Sequence, residues 1–143
     1  NKVIKNDKQK HYRQVACLNL LGKGFSFTGN KNINYCSHIF LPNLVVSGNM
    51  LSNDKVINKI VYNFKFKYEP LAKTLLEALK IGKKFGSDKR GLMSAALLVF
   101  KKNNPPLNIR VDYDTNPLAK LEKILKMTNK IKYKEWLKKL PSK

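Results

Sequence analysis

The sequence predicts an α+β fold in which antiparallel strand pairs are covered by helices. Two observations carry this. Apolar segments of strand length, punctuated by glycine, asparagine and proline turns, occur before and after a pair of segments whose apolar residues recur at helical spacing. That order (hairpin, strand, helix, helix, hairpin, helix) suits sheet with helices on it rather than alternating parallel units. The 143 residues, 43% apolar with only seven glycines and six prolines, suffice for one domain with a real core.

Residues 1–12 are polar and of mixed charge, a surface lead-in or the end of a helix. Arg13 to Leu21 turns apolar and reads as a strand, with Cys17 as a small buried hydrophobe. Gly22-Lys23-Gly24 turns the chain into a second short strand, Phe25 to Thr28. Lys31 to Pro42 reads as irregular, and a third strand begins at Leu44 to end in Ser47-Gly48-Asn49. Asn53 or Asp54 caps a helix whose face is Val56, Ile57, Ile60, Val61 and Phe64. Pro70 starts another, with Leu71, Leu75, Leu76 and Leu79 as the expected buried stripe.

Leu92 to Phe100 is apolar nearly throughout, which predicts a strand covered on both faces or in a central position. Leu107 to Val111 pairs with it across a proline turn, directing Leu107, Ile109 and Val111 to one side and Asn108 and Arg110 to the other. Asn116-Pro117 opens a helix carrying Leu118, Leu121, Ile124 and Leu125. Residues 128–143 form a C-terminal amphipathic extension with Tyr133, Trp136, Leu137 and Leu140.

The formal charge is +20. Only Arg13, Arg90 and Arg110 among the 29 basic residues are arginines, which favours a generic lysine-rich solvated surface over a phosphate-reading one. Either origin allows non-specific attraction to polyanions. No stretch approaches the roughly 20 apolar residues of a membrane span. Two cysteines and no secretory leader fit a reducing, cytoplasmic setting.

Phosphate-loop, dinucleotide and zinc signatures are absent, and no metal or cofactor is expected. Four places have chemical potential. Cys36-Ser37-His38 brings a thiol and an imidazole close in sequence, either as a nucleophile pair or, more simply, with His38 lining a polar pocket. Ser47-Gly48-Asn49 either orients a ligand through Asn49 or holds a turn. Asp88 and Arg90 either bind a carboxylate or form an ion pair tying down their loop. Arg110, Asp112 and Asp114 share a face if their strand continues, as a structural network, a binding site or a metal site.

Several of these blocks also carry a resemblance. Tyr12-Arg13-Gln14-Val15, Phe27-Thr28-Gly29, Ser37-His38, Gly48-Asn49-Met50-Leu51, Asp88-Lys89-Arg90-Gly91 with Ser94 to Val99, and Ile109 to Asp112 with Pro117 and Leu121 resemble the uncharacterised bacterial DUF1028 family. That family is placed in the N-terminal-nucleophile (Ntn) hydrolase superfamily. The resemblance covers most of residues 7–127. It implies a four-layer αββα sandwich, and an amide hydrolase whose Thr, Ser or Cys at the mature N-terminus attacks with its own amine as base. That nucleophile would lie upstream of the Tyr12 block, and Asn1 cannot serve. Residues 1–143 are therefore expected to be the C-terminal portion of one such domain, inactive alone. A missing N-terminal part, a partner chain or an oligomer would complete it. The alternative is a non-catalytic basic structural or binding module.

The sequence departs from the family at Asn19, where an acid is usual, at Ser37, where glycine is usual, and at Ser47, where glutamine is usual. Arg110 to Asp114 replaces an Arg-Val-Asp-Asp-His run. The expected binding or orienting residues are His38, Asn49, Asp88, Arg90, Arg110 and Asp112, none as nucleophile.

Overall fold

The computed structural model describes residues 2–64 and 70–140. It is a mixed α+β fold of small antiparallel sheets and several helices. The chain divides into two compact units, Asn1–Phe64 with Lys80–Gly91 and Lys65–Leu79 with Leu92–Lys143.

The first unit begins with helix α1 (Lys2–Asn6), which buries Ile4, and a 3₁₀ turn at Lys10–Tyr12. Strands β1 (Gln14–Leu18) and β2 (Gly24–Thr28) pair antiparallel, setting Gln14 opposite Thr28 and Leu18 opposite Gly24. Strands β3 (Ser37–Leu41) and β4 (Leu44–Gly48) form a second hairpin, with His38 opposite Ser47. The segment expected to be irregular thus contains a strand. Its Ser-His-Ile-Phe-Leu run meets a mate across the short Pro42-Asn43 turn, where Asn43 adopts a φ of 63°.

Helix α2 (Lys55–Asn63) packs on β3 and β4 through Val56 and Ile57, each 2% exposed, with Ile60, Val61 and Phe64 half-buried. Asn53 rather than Asp54 accepts the first-turn N–H, through its Oδ1 at 2.9 Å from Lys55 N. Gly48 lets the helix lie close, since a Cβ there would stand 3.2 Å from Ile57 Cδ1.

Strand β1 is a correction to the sequence reading. Only Gln14 is even half-buried, and Cys17 is exposed rather than packed inside. Apolar character marks a strand but not whether another layer covers it.

The second unit holds its own core. Helix α3 (Leu71–Lys84) contributes its residues through Leu79 here, and its last turn from Lys80 belongs to the first unit. Strands β5 (Ala95–Val99) and β6 (Leu107–Val111) pair with Leu97 opposite Ile109. Helix α4 (Pro117–Thr128) lies on both, and helix α5 (Ile131–Leu137) follows against α4. Ala72, Leu76, Leu97, Ile109, Val111, Leu121 and Leu125 form one buried cluster.

The alternation expected for β6 is present, with Ile109 and Val111 buried and Asn108 and Arg110 exposed. Strand β5, expected to be covered on both faces, buries only one: Leu98 is 50% exposed. The α3 stripe is also narrower than expected, because Ala72 and Leu76 are buried while Leu71 and Leu79 are exposed. Among the described residues no helix is long and apolar enough to cross a membrane.

Candidate functional site

The two hairpins of the first unit are linked by side chains at the ends of their strands, with Gln14 at the centre. Gln14 opens β1, where its carboxamide reaches past its own partner strand. Gln14 Nε2 lies 3.0 Å from Thr28 Oγ1, 2.9 Å from the Gly48 carbonyl oxygen and 3.1 Å from that of Ser37. Two hydrogens are shared among these three acceptors. On its other side Gln14 Oε1 accepts from Asn49 Nδ2 at 3.1 Å.

Thr28, opposite Gln14, continues the chain to His38, with Oγ1 and Nδ1 2.9 Å apart. When the Thr28 hydroxyl donates to Nδ1, every bond from Asn49 through Gln14 and Thr28 to His38 runs in the same donor-to-acceptor direction. Such a chain polarises cooperatively. The imidazole proton then sits on Nε2, which has no hydrogen-bond partner among the described residues and is a donor. Gln14, Thr28 and His38 are half-buried and Asn49 is exposed, so the relay runs from solvent into the sheet ends.

The backbone beyond Asn49 is tightly held. Met50 has a φ of 52°, with its N–H donating to the Ile33 carbonyl at 3.1 Å. Its carbonyl accepts from Lys89 N at 2.9 Å, and Leu51 bridges to Asp88. The loop of Asp88 and Arg90 is therefore stitched to the segment that carries Asn49.

Asp88 and Arg90 bind each other. Arg90 Nη2 is 2.7 Å from Asp88 Oδ2, its Nε is 3.0 Å from Oδ1, and its backbone N–H also donates to Oδ1 at 2.8 Å. The Arg90 guanidinium holds the Asp88 carboxyl at a pKa of about 2, against burial that pulls the other way. Asp88, in turn, pushes the Arg90 pKa up. Of the two readings of this loop, the ion pair is the one present.

Arg110 and Asp112 lie in the second unit and also pair with each other, Nε to Oδ1 at 2.8 Å, on an open surface. Asp114 does not join them. Strand β6 ends at Val111, and Asp114 instead accepts the Asn116 N–H at 2.7 Å and meets Lys120 Nζ at 3.1 Å. Those two contacts lower its pKa, the Asn116 N–H most. The expected shared face fails because the strand stops three residues short of Asp114.

Cys36 makes only weak contacts, from Sγ to Asn32 O at 3.9 Å and Asn34 Oδ1 at 3.8 Å, and none with His38. Among the described residues no cluster of His, Cys, Asp or Glu could hold a metal ion.

Of the six expected residues, His38 and Asn49 are brought into one network. Asp88 and Arg90 sit on the loop stitched beside it, and Arg110 and Asp112 form a separate pair. Gln14 and Thr28, which link His38 to Asn49, stand in the sequence as strand residues within blocks of the family resemblance, with no site role expected of them. Their cross-strand register is the signal that pairs them.

These features define an α+β protein of antiparallel hairpins whose joined strand ends present an oriented imidazole and an exposed amide. The chain belongs to DUF1028, a family of unknown function whose profile matches residues 1–121. The crystal structure of protein SPO2555 from Silicibacter pomeroyi, also of DUF1028, is similar at a TM-score of 0.86 and 31% identity. The similarity covers 99% of this chain and 63% of that one, so the chain spans less than two thirds of the length of that relative. No functionally curated protein matches it.

Proposed function

We propose that this chain supplies the substrate-orienting groups of an amide hydrolase of the N-terminal-nucleophile type. The carrying observation is the one-way relay from Asn49 through Gln14 and Thr28 to His38. It links an imidazole donor through two side chains to an exposed carboxamide, two polar groups that can orient an amide carbonyl and its neighbours. Arg90 and Arg110 each keep guanidinium N–H groups beyond those spent on Asp88 and Asp112, and they offer sites for a carboxylate.

The rest of the family's domain carries the nucleophile, a Thr, Ser or Cys with its own amine as base. It also completes a four-layer αββα sandwich. The matched relative is longer than the matched region, which leaves room for such a portion. Exposed apolar residues along β1 and its turn, Val15, Leu18, Leu20 and Leu21, are the surface assigned to it.

Amine release from a panel of acyl-anilides tests the proposal, using both this chain and the full open reading frame that encodes it. The full product is expected to hydrolyse at least one acyl class and this chain none. His38→Ala or Asn49→Ala lowers kcat/KM by about 100-fold, the scale of a misplaced substrate. A reading frame without a Thr, Ser or Cys at a processable position overturns the proposal.

A further inference from the structure

The second unit contains a cleft that the relay does not use. It has a volume of about 560 Å³, within the range of small-molecule sites. Its apolar wall is built from Pro105, Pro106 and Leu107 at the β5–β6 turn and from Tyr133 and Leu137 on α5. The two prolines keep that turn stiff, and the i, i+4 spacing of Tyr133 and Leu137 sets both on one helical face.

Lys134 and Lys138 also line it. They too are four residues apart, so two like charges stand side by side at one edge of an apolar cleft. Neither has an acid partner among the described residues, and no acidic side chain lines the cleft. Two other polar side chains on the wall are engaged locally: Thr128 Oγ1 donates to the Leu125 carbonyl at 2.8 Å, and Asn104 Nδ2 donates to that of Lys102 at 2.9 Å. The cationic groups at the cleft are thus two ammoniums beside an aromatic and aliphatic wall that also carries the Tyr133 hydroxyl. Charge complementarity calls for one anionic group, and the wall for an apolar body attached to it.

We infer that the cleft between the β5–β6 turn and α5 is a binding site for an amphipathic carboxylate, its acid held by Lys134 and Lys138 and its apolar body against Pro105, Pro106, Tyr133 and Leu137. A bare polyanion would leave the apolar wall in water, and a neutral apolar molecule would make no use of the exposed lysine pair.

The protein carries its own reporter. Trp136 is the sole tryptophan, with its ring centroid 5.7 Å from that of Tyr133. Tryptophan emission is titrated with 4-phenylbutyrate and, in parallel, with the neutral 4-phenylbutan-1-ol. A saturable change with the acid is expected, with the alcohol about ten-fold weaker, as loss of a charge-assisted contact implies. Lys134→Gln and Lys138→Gln, singly and together, should weaken the acid toward the affinity of the alcohol and leave the alcohol unchanged. Retained alcohol binding then shows that the cleft is intact. Lys130→Gln, on a lysine outside the lining, should change neither.

Equal affinity for acid and alcohol overturns the site, as does an equal loss in the Lys130 variant, which would make the effect one of general charge. Loss of acid and alcohol binding together in both single variants also overturns the assigned lysine role. So does a response to a single-stranded oligonucleotide with none to 4-phenylbutyrate, which would mark α5 as a nucleic-acid surface instead.

Discussion

Asp88 shows how a single side chain in this protein responds to acid. Its carboxylate accepts three N–H groups of Arg90, and its pKa falls from 3.8 to about 2. A folded pKa below the unfolded one means that folding favours the ionised form. The stabilisation is complete above pH ~4, shrinks as pH falls, and is gone once the folded carboxyl protonates near pH 2. Asp88→Asn should therefore lower Tm at neutral pH and flatten the fall in Tm between those limits, as read by thermal melts across the pH series. At this scale the sequence is informative where reactive or amide-bearing residues cluster, as His38 beside Cys36 and Asn49 after a strand end. It was silent on Gln14, because a glutamine at the start of a strand looks the same whether it meets water or two carbonyls. Only the through-space meeting of Ser37, Gly48 and Thr28 gives it a role.

Among the elements, burial rather than type separated expectation from structure. The period-two pattern of β6 was readable because one face meets the core and the other meets water. In β5 the unbroken apolar run concealed that Leu97 is 5% exposed and its neighbour Leu98 50% exposed. Leu121 on α4 is fully buried in the same cluster. Leu121→Ala should cost roughly 2–5 kcal/mol in urea unfolding. Leu98→Ala should cost well under half as much, since little of that side chain leaves water on folding. Similar losses at the two positions would show that both faces of β5 are covered in solution. Strand β3 is hidden in the sequence for another reason: its flanks, Asn32 to Tyr35 and Pro42-Asn43, are rich in turn formers, and its five residues carry no period-two pattern to set against them.

For the molecule as a whole, charge is the least balanced quantity. Twenty-nine basic residues face nine acids, and ion pairs among the described residues already engage Asp7, Asp88, Asp112, Asp114 and Glu122. Most lysines must therefore be neutralised by counterions. The expected result is retention on immobilised heparin at ~50 mM salt that is lost by ~200 mM, the steep dependence of counterion release. Retention that resists higher salt would instead mark a built polyanion site. The family was legible because several short blocks fall in order along the chain, each tied to a turn or strand end that the backbone constrains. Charge has no such anchor, and so it speaks to solubility and encounter rather than to fold.

The carboxamide of Gln14 has one more consequence. Opening the first hairpin withdraws its N–H groups from the strand-end carbonyls of the second, so neither hairpin can fray at that end without disturbing the other. Their backbone amides near Gln14, Thr28, Ser37 and Gly48 should share one opening event and trade hydrogen for deuterium on one clock, as a single cooperative unit.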